Sequence, residues 1–270
     1  MAMGQPFYTH EVSCNTCKNC FMRQTCLVSE LDAKQLRIFE ASRGAVRVLR
    51  KGQYLYRSGE KFNSLYLLRS GMVKANITGK DGEEQVTNFY LPGEILGIDG
   101  INKDRFHSTA IALESSSVCV LSFEKLLSLG NKFPSIQKQL WCRISREIAM
   151  QHELLLSMSH KSTEARVAEF LLTLSMRLKN IGCSATSFHL PMSRHDIGNY
   201  LGMTVETVSR ILTRFEKAGY INKEKRNVTL INIQALAEIC FTGTETCFCE
   251  NEKDESEDHR PDRIISIAAG

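Results

Sequence analysis

Four cysteines crowd near the start of the chain in the pattern Cys14-x2-Cys17-x2-Cys20-x5-Cys26. Thiolates are soft ligands that suit iron-sulfur clusters or zinc, and thiols at such short spacings have metal binding as their most direct chemistry. Spacing alone assigns Cys14, Cys17, Cys20 and Cys26 as the four ligands. Zinc normally takes two separated Cys/His pairs, while these thiols share one loop, so iron is the better fit and zinc remains open.

A second set of residues has the chemistry to read DNA. Val208, Ile211, Leu212 and Phe215 recur at i, i+3, i+4 and i+7, which turns them inward on a helix and leaves Glu206, Ser209, Arg210 and Thr213 outside. Arg210 can reach guanine O6 and N7 in a major groove, Glu206 can accept from cytosine N4, and Ser209 is permissive. Thr204 and Thr207, in the first turn, complete the expected DNA-facing set.

The elements that position these residues follow from the pattern. Residues 31–41 suit a short surface helix. Between about 45 and 123, short β-rich runs at 54–56, 64–68, 72–77, 85–91 and 117–121 are punctuated by glycines at 52, 59, 71, 82, 93 and 100, the mark of an antiparallel barrel or roll. Pro134 suits the first turn of a helix. Beyond it Ile136, Leu140, Ile144, Ile148, Gln151 and Leu155 recur at three- and four-residue spacings as one apolar stripe broken by Gln151. Such a stripe between two domains favours pairing with a second copy, through Ile144, Ile148, Gln151 and Leu155.

Ser162 with Glu164 caps a further helix to about Asn180. Ser193 and Asp196 form a capping box for a helix through Leu201, Gly202 breaks it, and Thr204 caps the next helix, which Gly219 ends. Two short helices joined by a glycine turn, the second with an outward polar face, make a helix-turn-helix. Residues 220–231 fit a β-hairpin wing with basic residues at its tip, placed to meet phosphates. An ordinary helical hairpin with a solvated face explains the same stretch less well, because caps, turn glycine, inward set and outward set agree.

The 270-residue chain is long enough for two domains. Its formal charge of +4 neither requires nor excludes nucleic acid, since an acidic stretch at 250–262 masks basicity elsewhere. No apolar run reaches the ~18 residues of a membrane span, and the N-terminal residues lack a secretory pattern. A cytoplasmic location and reduced thiols are therefore expected. Cys142 and Cys183, inside apolar stretches, read as core residues. The histidines do not assemble with acid and nucleophile spacing, so an enzyme is not expected. Cys247, Cys249 and the charged run after them carry no readable function, and a disordered tail is expected there.

The opening Cys14-x2-Cys17-x2-Cys20 is similar to a bacterial ferredoxin run, but the five-residue gap and the missing Cys-Pro ending disfavour a free-standing electron carrier. The combination of Cys17-x2-Cys20-x5-Cys26 with Gly202-Met-Thr-Val-Glu-Thr-Val-Ser-Arg210 resembles the FNR branch of the CRP/FNR transcription regulators, over about residues 14–240. The resemblance implies an α+β fold: a cysteine-rich segment (1–30), a cyclic-nucleotide-binding-like antiparallel β-roll (31–133), a dimerisation helix (134–160), a winged helix-turn-helix (161–240) and an acidic tail (241–270). It implies a [4Fe-4S] cluster on Cys17, Cys20, Cys26 and Cys119, leaving Cys14 spare. It also implies oxygen-controlled homodimerisation, double-stranded DNA with an inverted TTGAT repeat, and contact with RNA polymerase through a turn at 78–84. Family members usually carry a carboxylate where Gln151 stands. The cyclic-phosphate clamp of the parent group, a Gly-Glu segment with an Arg-Ser step, is replaced here by Gly97-Ile-Asp-Gly100 and His107-Ser108, so no cyclic nucleotide is expected. The alternatives are an iron-sulfur or thiol electron-transfer protein, and a zinc-stabilised regulator of another ligand.

Overall fold

The computed structural model describes residues 16–241. Cys14, Cys247, Cys249 and the acidic tail lie outside the described residues. A short 3-10 turn, Phe21–Thr25, follows the first described cysteines. Helix α1 (Ala33–Ser42) begins where Asp32 and Gln35 close a capping box.

Eight strands then build the roll: β1 (Val46–Leu49), β2 (Tyr54–Tyr56), β3 (Ser64–Ser70), β4 (Val73–Thr78), β5 (Glu84–Tyr90), β6 (Ile95–Leu96), β7 (Thr109–Ala112) and β8 (Ser116–Ser122). They pair antiparallel into two four-stranded sheets, β1-β8-β3-β6 and β2-β7-β4-β5. Strand β8 is therefore internal, and Cys119 faces Val46 on one side and Leu67 on the other. The interleaved order is possible because glycine turns let each strand reverse and cross to the opposite sheet.

Helix α2 (Phe123–Lys132) leads into the long α3 (Pro134–His160), whose Pro134 stands in the first turn as expected. The DNA-binding part comprises α4 (Thr163–Asn180), β9 (Ser187–His189), α5 (Arg194–Leu201), α6 (Val205–Lys217), β10 (Ile221–Glu224), β11 (Asn227–Leu230) and α7 (Ile233–Phe241). Strands β10, β11 and β9 form a small antiparallel sheet, so the wing has a third strand. Every expected cap is present: Ser162 on α4, the Ser193–Asp196 box on α5, Gly202 in the left-handed region at φ 63°, and Thr204 on α6.

Two apolar cores result. One fills the roll and takes in Cys17, Cys26, Cys119, α1, α2 and the start of α3. The other joins Met72, Val86, Phe89, Leu91 and Leu113 of the roll to the helices of the DNA-binding part. Polar ties reinforce that second junction. Lys74 Nζ lies 2.6 Å from Asp196 Oδ1, Arg177 Nη2 grips both carboxylate oxygens of Glu94 at 2.9 and 2.7 Å, and Gln85 Nε2 donates to the Asn199 carbonyl at 2.5 Å.

The stripe expected along α3 divides between two faces. Four residues of α-helix turn through about 400°, so each i+4 step drifts ~40°, and Ile148 ends far round the helix from Ile136. Ile136 and Leu140 are buried and Ile144 packs against the roll core. Glu147 accepts from Asn88 Nδ2 and Tyr90 Oη, and Gln151 Nε2 donates to the Thr87 carbonyl at 3.2 Å. On the other face Trp141, Ile148 and Leu155, spaced by sevens, are 60, 51 and 64 % exposed. Cys142, about 100° round the helix from Trp141, is also exposed, and Cys183 is only partly buried. The expectation of a core position fails for Cys142, whose apolar neighbours Leu140 and Ile144 face the roll, whereas Cys183 packs at the edge of the second core.

Candidate functional sites

Cys17, Cys20, Cys26 and Cys119 line one cavity. Three come from the turn before α1, and Cys119 comes from the middle of β8. The remaining lining is Met22, Val28, Phe39, Leu67 and Leu121, with Arg23, Arg43 and Arg69. Cys17, Cys26 and Cys119 are buried and Cys20 is half-buried. The loop is held to α1 by the Cys17 N–H, which donates to Glu40 Oε1, and within itself by the Cys20 N–H, which donates to the Cys17 carbonyl at 3.3 Å.

Burial pushes the Cys17 thiol up to about 12 and the Cys26 thiol up to about 11, and raises Cys119 as well. Arg43 opposes this, donating to Cys119 Sγ at 3.6 Å. Burial favours the protonated thiols, so a metal group must displace those protons and only a strong thiolate binder suits the site. Among the described residues no three Cys, His, Asp or Glu side chains close on a point as a single ion would need. A cubane takes one thiolate on each of four irons, so its ligands ring a cavity instead of converging. Four thiols around a largely apolar cavity supply the donor set that a [4Fe-4S] cluster would need.

The second site is the outer face of α6. Val208, Ile211, Leu212 and Phe215 are at most 2 % exposed, each contributing roughly 1.5–3 kcal/mol to docking the helix. Glu206, Ser209, Arg210 and Thr213 are all exposed, and a shallow groove runs along Ser209, Arg210, Thr213, Arg214 and Lys217. Arg214, ion-paired with Glu164, and Lys217 share this exposed face beyond the residues read from the first turns, and the period of the inward residues would have found them. Thr204 Oγ1 accepts from the Thr207 N–H at 3.2 Å, which leaves the cap hydroxyl already engaged. The wing tip carries Lys225, at φ 56°, and Arg226.

In the roll, Asp99 Oδ2 accepts from the backbone N–H groups of His107 and Ser108 at 3.0 and 2.6 Å. A carboxylate thus occupies the amides of the stretch that the parent group uses for a cyclic phosphate.

A β-roll, a long helix with an uncovered apolar seam and a winged helix-turn-helix with an exposed polar face define a DNA-binding transcription regulator, not an enzyme. The Cyclic nucleotide-binding domain family matches residues 46–133 and the Crp-like helix-turn-helix domain family matches residues 165–239. The chain is 39% identical to the transcriptional activator protein anr of Pseudomonas aeruginosa over 216 residues, 80% of this chain and 88% of that protein. It is 38% identical to the fumarate and nitrate reduction regulatory protein of Escherichia coli over 223 residues, 83% of this chain and 89% of that one. Among solved structures, FixK2 from Bradyrhizobium japonicum matches with a TM-score of 0.65 at 30% identity, covering 72% of this chain and 96% of that one. The chain belongs to the FNR branch of the CRP/FNR family. No helix among the described residues is long and apolar enough to cross a membrane.

Proposed function

We propose that the protein is an oxygen-responsive regulator of anaerobic and microaerobic metabolism, with Cys17, Cys20, Cys26 and Cys119 as ligands of a [4Fe-4S] cluster. One observation carries the reading: thiols from two distant segments line a single buried cavity. A bound cluster supplies an oxygen-labile centre there. The protein's part is mechanical. With the four thiols tied, the N-terminal segment is fixed to β8; untied, the segment keeps only its packing and its bonds to neighbours.

Ile148 and Leu155, with Trp141 in the same seven-residue register, present the seam by which two copies of α3 would pair. Ile144 and Gln151 act from the inner face, holding α3 to its own roll. Pairing matters because one recognition helix buries too little to select a genomic site, and two can read half-sites one helical turn apart. The base-reading set is Glu206, Ser209 and Arg210, with Thr204 and Thr207 ordering the first turn, on an inverted TTGAT repeat. The exposed turn at 78–84, between β4 and β5, is the surface offered to RNA polymerase. The Asp99 carboxylate on the His107 and Ser108 amides supports the absence of cyclic nucleotide regulation.

A gel shift with a TTGAT-containing duplex, first under argon and then in air, tests the reading alongside iron and sulfide analysis. Binding under argon that fades in air with loss of iron is expected. Binding indifferent to air, in protein holding zinc, would overturn it.

A further inference from the structure

We infer that Arg143 is the positioning residue through which the cysteine segment acts on α3, an inference that rests on the proposed cluster site. Arg143 Nη1 donates to the Gly93 carbonyl at 2.7 Å, and Nη2 donates to the carbonyl of Thr25, the residue immediately before Cys26. One guanidinium therefore ties three pieces: the long helix, the cysteine segment and the turn between β5 and β6. Both acceptors are neutral carbonyls, and Nε, although buried, has no hydrogen-bond partner. One of its two bonds is thus to a backbone position that a shift of the segment would move, and the nearby Glu94 carboxylate attracts the group without hydrogen-bonding to it.

The turn and the segment are in direct contact. Gly93 has φ +91°, and a Cβ there would lie 2.9 Å from Met22 Cε and 3.2 Å from Thr25 Oγ1. Displacement of the segment therefore opens this packing and the Thr25 end of the Arg143 bridge, leaving the guanidinium held at Gly93 alone. A second bond on the same side of α3, Gln139 Nε2 to Glu30 Oε1 at 2.6 Å, lies on the surface and is weaker support. Geometry also separates Arg143 from the pairing seam. At about 100° per residue, position 143 lies ~160° from Trp141 and ~140° from Ile148 around the helix. Its replacement leaves the seam side chains in place, so any effect on pairing must pass through the segment or through the seating of α3.

The test uses full-length protein with Arg143→Lys, which keeps the charge beside Cys26 but cannot span two carbonyls, and Arg143→Met, which keeps the stem alone. Iron content and visible absorbance report the cluster, and sedimentation equilibrium reports the dimer Kd of loaded and air-stripped samples. Arg143→Lys is expected to load as much iron as wild type, while its loaded Kd weakens about ten-fold or more toward the stripped value, the loss of one charge-assisted hydrogen bond. A loaded Kd equal to wild type would overturn the inference alone. Parallel loss of iron in both variants would also overturn it, since Arg143 would then hold the cluster site instead of transmitting from it. Wild-type protein without iron would overturn the proposed function together with this inference, and so is distinguishable from either.

Discussion

Leu155→Ala tests which face of α3 pairs. Leu155 is 64 % exposed in the single chain, so that fraction of its side chain is available to be buried by a partner. Truncation to alanine removes three carbons, each contributing about 0.8 kcal/mol when fully buried. Scaled by the exposed fraction and doubled for two copies in a symmetric pair, the loss is about 3 kcal/mol, or roughly 150-fold in dimer Kd. Sedimentation equilibrium of anaerobically purified protein measures this directly. Ile144→Ala is the matched control, because Ile144 packs on the roll core of its own chain. That variant should lower the urea midpoint while moving dimer Kd much less. If Leu155→Ala changes the dimer Kd by less than about five-fold, corresponding to about 1 kcal/mol, or if Ile144→Ala weakens pairing more, the assignment of faces is refuted.

Three further outcomes are expected. Cys119→Ala should abolish the broad visible absorbance of anaerobically purified protein and Cys14→Ala should not; the reverse result would return the ligands to the N-terminal loop. Arg210→Ala should cost about 1–3 kcal/mol of DNA affinity and relax selectivity at one base pair, whereas a uniform loss across sequences in quantitative gel shifts would make Arg210 a phosphate contact. Burial alone would raise the Asp196 carboxyl, but donation from Lys74 and Ser193 outweighs it and holds the group below its ordinary 3.8. A depressed acid contributes stability above its unfolded value and loses it as pH falls through the folded one. Asp196→Asn should therefore cost about 1.5–3 kcal/mol in urea unfolding at neutral pH, for a pair only 17 and 10 % exposed. The cost should fade below pH 3.8, and a cost independent of pH would place the effect outside the ion pair.

Much of the fold was legible because its signals are local. The caps Ser162, Ser193 with Asp196, and Thr204, the break at Gly202 and the inward set of α6 all depend on neighbours within a turn or two. The elements that went unread, β1, β6, β7, β9, α2 and α7, are short or carry weak periodicity, and their form is set by partners elsewhere in the chain. Cys142 was misread for a related reason: apolar neighbours in sequence do not tell which side of a long helix meets a core.

By itself the sequence determined the polar reading face of α6, the clustering of three thiols before α1 and the existence of a long helix after Pro134, since each rests on spacing along one element. The spacing of cysteines pointed to a self-contained loop that included Cys14; Cys119 entered only through the family resemblance. Only the tertiary structure brought Cys119, ninety-three positions beyond Cys26, into the cavity of the other three. It alone split the stripe of α3 into a face that holds the roll and a face left exposed. The reason is physical: strand crossing and helix docking decide which distant residues share a space, and a pattern of three- and four-residue steps cannot say which side of a drifting helix the rest of the chain will cover.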